Sequence, residues 1–308
     1  MKQIEILGMG IFAPRFVRTN EQMKAFVDTS DEWITSRTGI KKRHVQLNKS
    51  VLEMANQAGL QAIENSRIDK NKIRVVIVCT FTSEYRTPSI ASLVQRDLGL
   101  NENVITFDLN AACSGFVYGL VTASSLLNKG DYALVIGSEA ISSVLDMTDR
   151  NTCVLFGDGA GAAIISNGET QSAYVAGCIG DDTTLVCKYK GYLQMEGKQV
   201  FKFAVKSMEK TLETLLIENK ATLDQLDYIV AHQANARIIA SVQKKMSISD
   251  EKMFMNLEEY GNTSAASIPL ALGSMEGLKN GMKIALIGFG SGLTYGGVIV
   301  EWRGEKCA

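Results

Sequence analysis

Six short apolar runs constrain this chain more than any other feature. They are Val75-Val76-Ile77-Val78, Val104-Ile105-Thr106-Phe107, Leu134-Val135-Ile136-Gly137, Ala162-Ala163-Ile164-Ile165, Tyr228-Ile229-Val230 and Ile284-Ala285-Leu286-Ile287. A run that is apolar at consecutive positions has no polar face to give to water. It suits a central strand of a sheet covered by helices on both sides. Helical stretches lie between the runs, at Ser50 to Asn65, Ser89 to Leu98, Ser114 to Lys129 and Lys206 to Asn219. Strands that alternate with helices indicate an α/β fold. The chain holds 27 glycines and only three prolines, and the glycines gather at the ends of the runs.

A weak internal repeat divides the chain. Asn128-Lys129-Gly130-Asp131-Tyr132-Ala133-Leu134-Val135-Ile136-Gly137 resembles Lys279-Asn280-Gly281-Met282-Lys283-Ile284-Ala285-Leu286-Ile287-Gly288. Each copy follows a helix and precedes a Gly-rich apolar strand. Upstream of each helix is a turn, Asn110-Ala111-Ala112-Cys113-Ser114-Gly115 in one copy and Tyr260-Gly261-Asn262-Thr263-Ser264 in the other. The repeat therefore predicts two similar halves, residues 1–167 and 168–308, that share one core. It sets Cys113 and Asn262 at roughly equivalent strand-to-helix turns.

Bulk properties exclude several function classes. A formal net charge of −1 gives no global field for nucleic acid. No apolar run approaches the roughly 18 residues that span a bilayer. The opening Met1-Lys2-Gln3-Ile4-Glu5-Ile6 reads as a strand, without the apolar core of a signal peptide, so a cytoplasmic protein is expected. The six cysteines form no CxxC and none pairs with a nearby histidine at metal-ligand spacing, so no metal site is expected. Five of them, all but Cys113, read as buried, reduced, small apolar residues.

Cys113 differs because it follows a strand and opens a helix at Ser114-Gly115-Phe116. Unpaired N–H groups and the positive end of the helix dipole would favour a thiolate there. The only two histidines separate by context. His44, in Lys41-Lys42-Arg43-His44, reads as a solvated surface residue. His232 ends an apolar run, at the carboxyl end of a strand where open α/β sheets bind ligands. It could equally be a hydrogen-bonded core histidine. Asn262 could be a helix N-cap, or an amide N–H donor aimed at a developing oxyanion. Spacing does not separate the two roles. Phe156-Gly157-Asp158-Gly159-Ala160-Gly161 is not a phosphate loop, because a strand and not a helix follows it. Its glycines instead allow close backbone approach in the core.

Taken together, these motifs carry a resemblance that runs nearly end to end. Asp28-Thr29-Ser30-Asp31-Glu32-Trp33-Ile34, Arg37-Thr38-Gly39-Ile40, Ala111-Ala112-Cys113-Ser114-Gly115-Phe116 and Thr148-Asp149-Arg150 are part of it. So are Phe156 to Gly161, His232-Gln233-Ala234-Asn235 and Gly261-Asn262-Thr263-Ser264. The chain resembles the thiolase-fold condensing enzymes, most closely the β-ketoacyl-acyl-carrier-protein synthase III family. The resemblance implies two similar βαβαβαββ halves in a five-layered α-β-α-β-α arrangement. It implies a decarboxylative Claisen condensation of an acyl-coenzyme A primer with malonyl-acyl-carrier protein, initiating fatty-acid synthesis.

The same resemblance implies residue roles. Cys113 would carry the acyl group, and His232 and Asn262 would bind the malonyl thioester oxygen. The backbone N–H groups of Cys113 and Ser291 would form the second oxyanion hole. Coenzyme A would stack between Trp33 and Arg150, with Arg37 near its phosphates and Asn235, Gly197 and Phe201 along its arm. Thr87 and Phe289 would shape the acyl pocket, with Thr87 reaching across a homodimer. Lys202, Arg237, Lys244 and Lys245 would face the acidic carrier protein. No cofactor is implied, since acyl-coenzyme A is a substrate.

Two departures bear on this reading. Gly290-Ser291-Gly292 stands where many relatives have three glycines, and the segment from Asp181 to Met195 is short. A small Thr87, where acetyl-preferring relatives often carry Phe, leaves room for primers longer than acetyl. The alternatives are a same-fold acyltransferase, a secondary-metabolite condensing enzyme, a cysteine hydrolase, and an inactive partner in a heterodimer.

Overall fold

A computed structural model describes residues 1–48 and 50–304; Cys307 lies outside them. The main strands are β1 (Lys2–Phe12), β2 (Ile73–Cys79), β3 (Ile105–Leu109), β4 (Tyr132–Glu139) and β5 (Gly159–Gln171). They continue with β6 (Tyr174–Gly177), β7 (Tyr228–Ala231), β8 (Lys283–Gly290) and β9 (Thr294–Trp302). The helices that position the site are α1 (Asp31–Thr38), α2 (Val51–Ser66), α3 (Ile90–Asp97) and α4 (Gly115–Leu126). With them stand α5 (Gly197–Glu218), α6 (Ala236–Met246) and α7 (Ser267–Gly273).

All six apolar runs form strands, Val104 standing just before its own; in the inner strands successive residues face two cores, whereas Ile105 on the edge strand β3 is exposed. Val75 and Ile77 face a central cluster with Phe116, Leu120, Ile268 and Leu272. Val76 and Val78, one residue out of phase, face an outer cluster with Met54, Ala58 and Val94. In the second half, Val230 and Leu286 face the central cluster, whereas Ile229 and Ile287 pack against Met208, Leu212 and Ile239. Side chains alternate across a strand, so an unbroken apolar run must be covered twice. The result is five layers: α2 and α3, the first half's strands, α4 with α7, the second half's strands, and α5 with α6.

The repeat is visible in strand order. The first half runs β3-β2-β4-β5-β1 and the second runs β7-β8-β9-β6, with Met253 bridged in parallel to Ile229 where a counterpart of β3 would stand. In each half the strand that closes the motif is antiparallel to its neighbours on both sides. The halves join through β1 and β9, parallel at Ile4 with Val300 and Ile6 with Trp302. We propose the division into residues 1–167 and 168–308 on this order; positions 167 and 168 both lie in β5.

Local chemistry fixes the helix starts. Ser50 accepts from Glu53 N and Ser89 from Ser92 N, ordinary N-caps. Asp108 at the end of β3 accepts from Ile90 N at 2.7 Å and Ala91 N at 2.9 Å, tying α3 to the sheet. Gly161 must be glycine, since a Cβ there would lie 2.6 Å from the Pro269 carbonyl carbon on α7. The third stretch is shorter than expected, ending at Leu126, and the fourth begins at Gly197 and not Lys206. His44 is half-buried and not solvated; its Nδ1 lies 2.5 Å from Pro14 O and its ring stacks on Tyr260 at 5.4 Å. The cysteines also divide differently from expectation. Cys79 and Cys153 are buried, but Cys178 is exposed and Cys187 is half-buried in a loop.

Candidate active site

β3 ends at Leu109, and the chain then turns tightly so that Cys113 can precede α4. Ala112 takes a left-handed φ of 46° to make that turn. β7 ends at Ala231, which leaves His232 at the strand's carboxyl end. Asn262 precedes a second such turn, in which Ser264 has a φ of 50°, ahead of α7. Cys113, His232 and Asn262 line one cavity of about 130 Å³. The same cavity is lined by Gly197, Phe201, Asn235 and Phe289. A second cavity, about 90 Å³, shares Cys113, Phe156 and Leu185 and is otherwise lined by Phe81, Asn110, Ala112, Cys187, Leu193, Ser264 and Ser291. Cys113 therefore stands between two spaces.

Both hydrogen-bond donors are held in one sense. Asn262 Oδ1 accepts from Ser264 N at 2.9 Å, so the carboxamide oxygen is engaged and Nδ2 is left to donate. Asn262 N donates to Leu155 O and its O accepts from Gly157 N, which locks its backbone beside Phe156. His232 Nδ1 lies 2.6 Å from Ser267 Oγ, which also accepts from Gln233 N at 3.4 Å. The tautomer in which the Ser267 hydroxyl donates to Nδ1 puts the imidazole proton on Nε2. Burial holds the His232 pKa down to about 3, so the ring is neutral. Phe289 closes on it edge-on, with ring centroids 5.0 Å apart.

Cys113 departs from expectation. Burial outweighs the helix end and pushes its pKa up to about 12, partly offset by hydrogen bonding from Ser264 and its own N–H. The resting nucleophile is a thiol. Gly290 lies against it so closely that a Cβ would stand 2.7 Å from Cys113 N. Ser291, next in the loop, lines the second cavity and donates its hydroxyl to Leu185 O. It thereby ties the glycine loop to the short hairpin of Leu185–Val186 and Gln194–Met195 that roofs the site.

The remaining sequence-predicted residues fall outside this centre. Trp33 is sandwiched by guanidinium groups, with Arg37 4.6 Å and Arg150 4.8 Å from its ring centroid. Asn235 Nδ2 donates to Arg37 O at 3.1 Å, joining that cluster to the first cavity. Thr87 is exposed and lines neither cavity, while its neighbour Arg86 stacks over Tyr189 of the roof hairpin at 5.1 Å. Lys202, Arg237, Lys244 and Lys245 are exposed on α5 and α6, and Lys245 pairs with Glu209 at 2.6 Å.

Sequence reasoning missed Ser264, Ser267 and Glu139. The first two are hydroxyls inside an otherwise small apolar run, which is the signal that could have found them. Glu139 ends the apolar strand β4 and is fully buried. Its Oε2 accepts from the hydroxyls of Thr80 and Thr82 and from the N–H groups of Phe81 and Thr82, at 2.6–3.3 Å. Desolvation pushes its pKa up to about 7. Stability contributed by a raised carboxyl is whole below its unfolded value of 4.5 and is lost as pH rises through 7. Glu139→Gln, which keeps the acceptor and cannot ionise, should therefore gain melting temperature relative to the parent as pH rises from 4.5 to 7. A difference between the two that does not change over that range would show that Glu139 titrates in the folded protein as it does in the unfolded chain.

Known proteins match this architecture along its whole length. The model of 3-oxoacyl-[acyl-carrier-protein] synthase III matches residues 107–182, and that of its C-terminal part matches residues 216–302. The β-ketoacyl-[acyl-carrier-protein] synthase III of Clostridium acetobutylicum is 44% identical over 98% of this chain and 99% of its own. That of Acholeplasma laidlawii is 48% identical over 97% and 98%. The chain belongs to the β-ketoacyl-acyl-carrier-protein synthase III family. The crystal structure of the Aquifex aeolicus 3-oxoacyl-[acyl-carrier-protein] synthase III superposes with a TM-score of 0.91 at 40% identity, covering 98% of this chain and all of that one. The priming β-ketosynthase of the R1128 polyketide pathway gives a TM-score of 0.92 at 31% identity, covering 98% and 97%. As a β-ketoacyl-acyl-carrier-protein synthase III, the chain is an acyltransferase-class condensing enzyme of fatty-acid synthesis with the thiolase fold.

Proposed function

We propose that Cys113, His232 and Asn262 catalyse the condensation of an acyl-coenzyme A primer with malonyl-acyl-carrier protein. The observation that carries this reading is one cavity lined by a buried thiol and two oriented neutral donors. In the first half-reaction Cys113 Sγ bonds to the primer carbonyl carbon. The carbon–sulfur bond to coenzyme A breaks, and the proton of the Cys113 thiol passes to the departing coenzyme A thiolate. The N–H groups of Cys113 and Ser291 bind the tetrahedral oxyanion. In the second, the malonyl thioester oxygen lies against His232 Nε2–H and Asn262 Nδ2–H. The charge that carbon dioxide leaves behind moves onto that oxygen, where two fixed donors in a water-poor cavity stabilise it. The enolate carbon attacks the acyl thioester and the carbon–sulfur bond breaks, releasing Cys113 as a thiolate that takes a proton from water.

Neutral donors suit this step, since a cationic imidazole would bind the malonyl carboxylate in the ground state as strongly as the enolate. We read Trp33, Arg37 and Arg150 as the nucleotide end of the coenzyme A site. Arg150 lies 4.8 Å from the Trp33 ring centroid, so an adenine stacked between them would part the two. Asn235, Gly197 and Phe201 would follow the pantetheine arm into the cavity. Phe289 packs on His232 and acts on the acyl pocket through it, whereas Thr87 would shape that pocket from across a homodimer. Lys202, Arg237, Lys244 and Lys245 would steer the acidic carrier protein. Acyl-coenzyme A serves as substrate, no further cofactor is called for, and the reaction is placed in the cytoplasm. Among the described residues no helix is long and apolar enough to cross a membrane.

Intact-protein mass with two- to eight-carbon acyl-coenzyme A primers, before and after malonyl-acyl-carrier protein, tests this reading. One acyl adduct on the peptide bearing Cys113 is expected, discharged as a 3-ketoacyl product with release of carbon dioxide. Primers longer than acetyl should load. A strict acetyl preference would remove the role given to Thr87, and discharge as free acid would make the chain a hydrolase.

A further inference from the structure

The internal repeat pairs two asparagines that the proposed chemistry uses unequally. Ala112 and Ser264 both adopt left-handed backbone, with φ of 46° and 50°. Each opens a single 3-10 turn, Ala112–Ser114 or Ser264–Ala266, that leads directly into α4 or α7. Two residues before each stands an asparagine. Ser264 N donates to Asn262 Oδ1 at 2.9 Å, and Ala112 N donates to Asn110 Oδ1 at 3.2 Å. Asn110 is therefore the first half's counterpart of Asn262, held by the same local turn with its oxygen engaged. Asn262 lines the first cavity and Asn110 lines the second.

The second cavity has a larger polar share than the first, set in a wall of Phe81, Ala112, Phe156, Leu185 and Leu193. No described residue accepts a hydrogen bond from Asn110 Nδ2. The Ser264 hydroxyl, in the wall of the same cavity, is buried and already serves the Cys113 thiol and Glu139. A half-buried thiol, Cys187, completes the polar side, facing Phe81, Leu185 and Leu193. Cys187 already donates to Gly191 O at 3.8 Å, so a wholly hydrocarbon primer would leave the Asn110 Nδ2–H unpaired, which costs free energy. A primer that carries an oxygen of its own would pair with it.

We propose that the second cavity selects short acyl-coenzyme A primers bearing a hydroxyl or oxo oxygen beyond C2, with Asn110 Nδ2–H as the donor to that oxygen. This rests on the reading of Cys113 as the acyl carrier. Selectivity follows the asymmetry of polar sites, which reject an analogue lacking the hydrogen-bonding atom more strongly than an apolar pocket rejects an added hydroxyl. Transfer itself is unchanged: the primer carbonyl passes from coenzyme A sulfur to Cys113 sulfur, and the thiol proton leaves on coenzyme A.

Competition between butyryl-coenzyme A and 3-oxobutyryl-coenzyme A, whose C3 oxygen can only accept, read by intact mass on the same enzyme, tests the proposal. The parent should load the 3-oxo primer in about tenfold preference, the selectivity of one well-made hydrogen bond. Asn110→Asp keeps the oxygen that Ala112 N needs for the turn and replaces the donor with an acceptor. It should lose or invert that preference. Asn110→Ala, which removes both, should lose the preference as well. A parent that loads both primers equally, or an Asn110→Asp variant that retains the preference, would overturn the proposal. Butyryl loading on parent Cys113 would still stand in that case and uphold the condensing reading. Absence of loading by either primer would overturn both.

Discussion

Cys113→Ala should form no acyl adduct with any primer and should lose condensation by about 10⁴-fold or more. The nucleophile is the point where both half-reactions meet, so its removal stops the cycle and does not merely slow one step. Cys187 makes this a discriminating measurement, since its thiol lines the second cavity and would remain. An adduct that survives the substitution and maps to Cys187 would move the acyl carrier there. The fold should tolerate the change, because alanine fills most of the same small buried space. A Cys113→Ala protein that melts like its parent and carries no acyl group is the expected pair of results.

Asn262→Ala and His232→Ala should each load Cys113 and then fail to discharge it. Loss of one oxyanion donor costs about 10² to 10³ in rate. That cost should appear in the malonyl-dependent step, measured as decay of the pre-formed acyl adduct in rapid-quench mass spectra. The double variant should be little worse than either single one, since the two donors stabilise one oxygen together. Asn262→Asp sharpens the test. It retains the oxygen that accepts from Ser264 N but puts a carboxylate where the amide donor was. It should be at least as slow as the alanine variant. If all three variants discharged at the parental rate and were instead slow to load, Asn262 and His232 would belong to the transthioesterification step.

Much of this arrangement is legible in the amino-acid order, for a physical reason. The strands are covered on both faces, so Val75 to Val78 and Ile284 to Ile287 show as unbroken apolar runs that polar residues cannot interrupt. Cys113 and His232 follow such runs, at strand ends that converge on one side of a sheet, whereas Asn262 follows the short helix Leu257–Tyr260 and not a strand. What stays hidden depends on partners far apart in the chain. The sense of the His232 ring is set by Ser267, 35 positions away, and the buried collar of Glu139 by Thr80 to Thr82, 57 to 59 positions away. The thiol's protonation was misjudged because a helix end is visible in the sequence and complete burial is not. The early start of α5 escaped because Phe201, Phe203 and Val205 are only partly buried, which leaves its first turns without a clear apolar stripe.

The join between β1 and β9 sets how this enzyme can move. Ile4, Glu5 and Ile6 run in register with Val300, Glu301 and Trp302, so backbone hydrogen bonds cross from one half to the other. α4 and α7 are packed between the two sets of strands, with Phe116, Leu120, Ile268 and Leu272 all fully enclosed. A clamshell hinge would have to tear that ladder and open a close-packed core. Substrate entry and release must therefore be handled by the lightest parts at the rim, the hairpin from Leu185 to Met195 and the stretch around Arg86 that rests on it. The molecule works as a rigid anvil with a movable latch.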